Sequence, residues 1–231
     1  MFLNPKFALA TVAALLVLSG SVSQAAGQST AGPARLDLTA SSHTKSHLIP
    51  DTDLAFRAQA RAGVVTKADT TATTSATCDN CAGQAVSVHV LYLDRAPAQT
   101  LNNVAIAWAQ GCTGCKAASV SLQVAVLHNP GSLTANNRAL SLTAVCTQCT
   151  ASAAAYQLVM AGGGQARLTN STLGELRSWA TDRAHLLRQS GALASLRTRV
   201  AKTRDLNDLS KLINADLSAK LVSARARLAG R

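Results

Sequence analysis

Cys78-Asp79-Asn80-Cys81, Cys112-Thr113-Gly114-Cys115 and Cys146-Thr147-Gln148-Cys149 hold all six cysteines of this 231-residue chain. Their first cysteines stand 34 residues apart, twice over. A spacing kept to the residue marks an internal repeat, one supersecondary unit per period. An apolar run follows each motif: Ala85–Tyr92, Ser119–Val126 and Ala153–Met160. Bulky residues recur at every second position, as in Val86, Val88, Val90 and Tyr92, or Val120, Leu122, Val124 and Val126. Period two is strand periodicity, because successive side chains leave a strand on opposite sides.

Turn residues close each run: Asp94-Arg95-Ala96-Pro97, Asn129-Pro130-Gly131 and Gly162-Gly163-Gly164. Return strands follow the first two turns, around Val104–Trp108 and Arg138–Leu142. The simplest assembly is an α+β fold: an antiparallel β-meander of about five strands built from the repeats, followed by two C-terminal helices. One face of that sheet carries Val, Leu, Ile, Tyr and Trp, and requires a cover. The other carries Ala and Ser, such as Ala105, Ala107, Ala153 and Ala155, and admits close approach by another element or by a second copy.

Residues 165–231 supply two helical stretches. Thr172-Leu173-Gly174-Glu175 has the form of a capping box ahead of Leu176, Trp179, Arg183, Leu186 and Leu187, with Gly191 as the break. Asp205 is a candidate N-cap for the stripe Leu206, Leu209, Leu212, Ile213, Leu217 and Leu221. The segment carries 13 Lys and Arg against 5 Asp and Glu, most of the whole-chain net charge of +11. Such a surface attracts anionic polymers or lipid headgroups. Aromatic residues make up only 3% of the chain and no reading motif is present, which argues against specific nucleic-acid recognition.

Ahead of the repeats, Met1–Ala25 has the charged start, the short apolar core and the Ser23-Gln24-Ala25 cleavage site of a secretory signal peptide. Residues 26–77, ending in a run of Thr, Ala and Ser, read as a tail and linker. The expected division is therefore 1–25, 26–77, a CxxC triple-repeat β domain over 78–164, and a basic helical segment over 165–231.

Cys78, Cys81, Cys112, Cys115, Cys146 and Cys149 are the candidate site residues. In an exported chain, paired cysteines are the leading expectation, with bridges inside each CxxC favoured. A four-thiolate zinc centre and a thiol–disulfide exchanger are the alternatives. No HExxH, GxSxG or phosphate-binding glycine loop is present, so no catalytic residue is assigned. The expected function is a secreted, non-enzymatic structural or interaction module without a cofactor, associated with the cell envelope. Metal binding or thiol redox chemistry at the CxxC cluster is the alternative.

The stretch Cys112–Met160 resembles an exported actinobacterial CxxC-repeat family. Cys112-Thr113-Gly114-Cys115 precedes Ser121-Leu122-Gln123-Val124, and Cys146-Thr147-Gln148-Cys149 precedes Ala155-Tyr156-Gln157-Leu158-Val159. The resemblance extends over residues 78 to about 190 and implies export and the repeat. Some longer members are labelled peptide zinc metalloproteases; with no HExxH here, that activity is not carried over.

Overall fold

A computed structural model describes residues 32–162, 167–189 and 196–230. The signal-peptide reading of Met1–Ala25, part of the triple-glycine turn and the break at Gly191 lie outside them. The elements are β1 (Ala34–Arg35), β2 (Leu38–Thr44), β3 (Asp51–Ala62), β4 (Thr66–Ala76), β5 (Ala82–Asp94), β6 (Ala98–Gln110), β7 (Lys116–His128), β8 (Ser132–Ala144), β9 (Thr150–Gly162), α1 (Asn170–Arg188), α2 (Arg199–Asp216) and β10 (Ala219–Gly230).

The strands wind as a parallel β-solenoid of four turns: β1 to β3, β4 and β5, β6 and β7, β8 and β9. Sheet A contains β1, β2, β4, β6 and β8, and sheet B runs β3-β5-β7-β9-β10. Every pairing is parallel except that of β10 with β9. Ala82 pairs with Lys116 and Lys116 with Thr150, so the 34-residue repeat is one turn of the coil.

The antiparallel meander is thereby overturned. The expected strands are present, but each tight turn carries the chain across to the facing sheet instead of reversing it within one. Period-two alternation is the same in both arrangements. What separates them is where residue i+34 lies. In the solenoid it sits directly under residue i, so like stacks on like: Ser87 on Ser121, Asn103 on Asn137, Gln123 on Gln157.

The tail reading of residues 26–77 is also corrected, since β1 to β4 occupy residues 34–76. The space between the sheets is narrow and small side chains fill much of it, beside a cluster of Leu36, Leu91, Leu101, Leu127 and Val159. Ala40, Ala68, Ala72, Thr70 and Thr74 are fully buried there, so a Thr/Ala/Ser run suffices to build a strand. The Ala face, expected to admit another element or a second copy, is this same interior and is covered by the facing sheet of the same chain: Ala105, Ala107, Ala153 and Ala155 are buried between the sheets.

The remaining bulky residues divide between two outer surfaces. On sheet B, Val88, Val120, Leu122, Tyr156, Leu158 and Met160 lie beneath Leu176, Ala180, Ala184 and Leu187 of α1 and Leu209 and Ile213 of α2. On sheet A, Leu140 and Leu142 remain exposed. Both helix starts differ from expectation. Thr169 caps α1 by accepting from the Thr172 amide, and Thr198 caps α2 by accepting from the Ala201 amide. Leu221, expected at the end of a helical stripe, belongs to β10.

Polar ladders run through the interior. Asn103 Nδ2 donates to Asn137 Oδ1 at 2.8 Å and to the carbonyls of Ser121 and Tyr156 in the opposite sheet. Gln157 Nε2 donates to Gln123 Oε1 at 2.8 Å, and Gln123 Nε2 to Thr70 Oγ1 at 2.9 Å. Buried amides must find partners, and the 34-residue register supplies them from the adjacent turn.

Candidate functional site: the cysteine corner

Each CxxC forms the corner that takes the chain from sheet A to sheet B: β4 to β5, β6 to β7 and β8 to β9. The third residue of each motif has left-handed backbone, with φ of 54° at Asn80, 69° at Gly114 and 56° at Gln148. This single left-handed residue breaks the strand alternation and turns both cysteines of a motif to the same side. Asn and Gly accept the conformation readily. The corners are knitted to one another by the Asn80 amide donating to Thr113 O at 2.7 Å and the Gly114 amide to Thr147 O at 2.8 Å. Asp79 Oδ1 accepts the Thr113 amide at 2.6 Å.

All six cysteines therefore stand in one column. Cys78 and Cys81, and Cys112 and Cys115, are at disulfide distance, with Cα separations of 5.4 Å and 6.2 Å. Cys146 and Cys149, on the last turn, are unpaired and partly buried. Cys81 and Cys115 are fully enclosed among Ala76, Ala109, Ala117 and Ala151. Between turns, Cys112 Sγ lies 3.6 Å from Cys146 Sγ and 3.8 Å from Cys149 Sγ. Burial pushes the Cys149 thiol up, and the neighbouring Cys146 thiol adds to the shift. That is the reverse of the depressed thiol used for disulfide exchange. Each motif also leads into a strand, so no helix N-terminus is placed to stabilise a thiolate.

Two surface features of sheet A arise from stacking; the one sign of them in the linear sequence is the pair Asn102-Asn103 recurring as Asn136-Asn137. Ile106, Trp108, Leu140 and Leu142 border a shallow depression of about 430 Å³. Beside it, Asp69, Asn102, Asn136 and Arg138 line a polar groove of about 370 Å³. Asn136 Nδ2 donates to Asn102 Oδ1, and Asn102 Nδ2 to Asp69 Oδ1, so the groove floor is a hydrogen-bonded column across three turns. On the opposite side of the molecule, Arg199, Arg204 and Lys211 lie exposed along α2.

Comparison of the chain with protein-family models, with curated proteins and with solved structures returned no match. Among the described residues, no helix is long and apolar enough to cross a membrane.

Proposed function

We propose that this chain is a secreted, non-enzymatic structural or interaction module, a rigid β-solenoid whose cysteines brace one corner. The observation that carries this reading is the column of CxxC corners on three successive turns, with two motifs already at disulfide distance. A bridge spanning three residues closes only a small loop, and loop-entropy scaling gives it about 2 kcal/mol. Its principal effect is local. It fixes a left-handed corner so that the next strand enters in register. The exposed cations of α2 would hold the module to anionic envelope polymers or lipid headgroups.

Intact mass after alkylation under denaturing conditions, with and without prior reduction, tests the brace. The exported protein should take up no more than two alkyl groups, those of Cys146 and Cys149, until it is reduced, and reduction should lower its melting temperature. Free thiols at Cys78 and Cys81 in the exported protein would defeat the reading. The envelope part is tested separately by binding to anionic vesicles and to cell-wall material. Binding should be present at low salt and fall as salt rises; no binding at low salt would remove it.

A further inference from the structure

We infer that Cys112, Cys115, Cys146 and Cys149 of the reduced protein form a four-thiolate site for one soft divalent cation of the zinc type, and that Cys78 and Cys81 stand outside it. The CxxC repeat alone offers three equivalent pairs. The structure distinguishes them, because the four Sγ atoms of the last two turns all lie within 4.8 Å of one another.

A tetrahedral thiolate site has sulfur about 2.3 Å from zinc, so its sulfur–sulfur edges are about 3.8 Å. The inter-turn separations of 3.6 and 3.8 Å match that edge. The register explains the match. One turn contributes two sulfurs from its CxxC corner, and the next contributes two more about 4.8 Å along the stack. Two turns complete a ligand set. As a thiol, Cys149 lies 3.2 Å from Cys112 O and 3.5 Å from Thr147 O, which holds its sulfur beside the neighbouring corner. Cys112 and Cys115 are buried, whereas Cys146 and Cys149 are partly exposed, which leaves an entry path from the last turn. Cys78 is directed instead toward the first turn, with its sulfur 3.7 Å from Thr44 O, and is paired with Cys81.

The chemistry balances as follows. A phosphine reductant with one water opens the Cys112–Cys115 bridge, giving two thiols and the phosphine oxide. One divalent cation then displaces four thiol protons, giving a four-thiolate complex of net charge −2 and four released protons. The site shares Cys112 and Cys115 with the proposed brace but does not depend on the envelope reading. Oxidation state and metal content are measured independently.

The test uses the full chain, reduced with a phosphine and titrated anaerobically with cobalt(II) and then zinc(II). One equivalent of cobalt should give the visible absorption of a tetrahedral thiolate complex, which zinc abolishes. C146S or C149S should weaken binding by more than the roughly 100-fold that outer-shell changes cost. The C78S/C81S double variant should bind as the parent does. A parallel measurement maps which cysteines zinc protects from alkylation, and Cys112, Cys115, Cys146 and Cys149 should be protected. If the reduced chain loses its strand signal in circular dichroism, zinc should restore it in the parent and not in C146S/C149S. Fully reduced chain with all six thiols reactive and no cobalt complex, or binding that C78S/C81S abolishes, would overturn the assignment.

Discussion

His89 occupies in β5 the position that Gln123 and Gln157 take in β7 and β9. It is fully buried, held by Thr70 Oγ1 at Nδ1 and by Gln59 at Nε2. Burial first, and the positive charge of Arg57 second, lower its pKa to about 4. The folded protein therefore keeps His89 neutral where the unfolded chain would protonate it. Its contribution is complete above the unfolded value near 6.5 and is lost as pH falls from there toward about 4. A shift of that size corresponds to roughly 3 kcal/mol across the window. His89→Gln places the residue of the following turns into the same column. It should flatten the stability–pH profile between about pH 6.5 and 4, measured by denaturant unfolding; a variant with the parent's acid slope would place the titration elsewhere. A second test lies at Val145, 88% exposed with φ of 52°, at the position where the previous turn has Gly111. A β-branched residue is poorly suited to that backbone. Val145→Gly should gain about 1 kcal/mol, because left-handed geometry costs a non-glycine residue about that much, and a lower melting temperature would show that the corner is not strained.

At the level of the elements, α1 and α2 are bound to sheet B by apolar contact and by one polar cluster. Tyr156 Oη donates to Asp205 at 3.0 Å, and Arg183 pairs with the same carboxylate at 2.6 Å. The Arg183 guanidinium also lies over the Trp179 ring, which meets Tyr156 edge to face. Burial raises the Asp205 carboxyl's pKa, and Arg183 opposes that shift. Asp205 was legible in the sequence only as a polar residue before an apolar stripe, the pattern of an N-cap. Its depth depends on Tyr156, 49 residues away, and no local pattern reports that. Asp205→Ala would leave the Tyr156 hydroxyl without its acceptor and Arg183 without its anion. The expected cost is about 3 kcal/mol, typical of breaking one side of a buried pair, read as a shift in urea midpoint. A change within error would mean that the helices cover the sheet without this cluster. Leu209→Ala, at a fully buried site on α2, should cost a comparable amount, about 2–5 kcal/mol, through the cavity it leaves. If the cover and the sheet unfold together, both variants should move a single transition.

Over the whole molecule, the 34-residue period, the strands β5 to β9 and the placing of each CxxC between two strands were legible because each is written in local spacing. Sheet membership was not: a hairpin and a crossing to the facing sheet use the same turn residues, and only the partner at i+34 tells them apart. The first turns were missed for a related reason. Their Thr/Ala/Ser composition looks too poor to fold alone, yet it fits an interior whose neighbours supply the packing. A solenoid also raises a problem that a closed fold lacks, namely strand edges at both ends of the stack. At the N-terminal end, the outward amides of β2 are occupied by carboxylates: Ser41 N donates to Asp53 and His43 N to Asp51. At the C-terminal end of sheet B the device is β10, which reverses direction and covers β9 from Ser152 to Gly162. It also reaches sheet A, where Arg225 Nη1 donates to Ala135 O and Asn137 Nδ2 donates to Arg225 O. On this reading β10 is a cap. A chain ending at Ser218 keeps both helices and uncovers the whole edge of β9. It should associate in a concentration-dependent way, seen by light scattering at concentrations where the full chain is unassociated, because an open β edge is a template for another strand. Replacing Ala154 and Leu158 of the truncated chain would disturb the core and confuse the result, so the informative control is Ala161→Pro near the end of the uncovered strand, whose amide faces away from β7 and is lost to the open edge. If association is edge-to-edge, the proline should reduce it; a truncated chain that scatters like the full chain would mean that the end of β9 needs no cap.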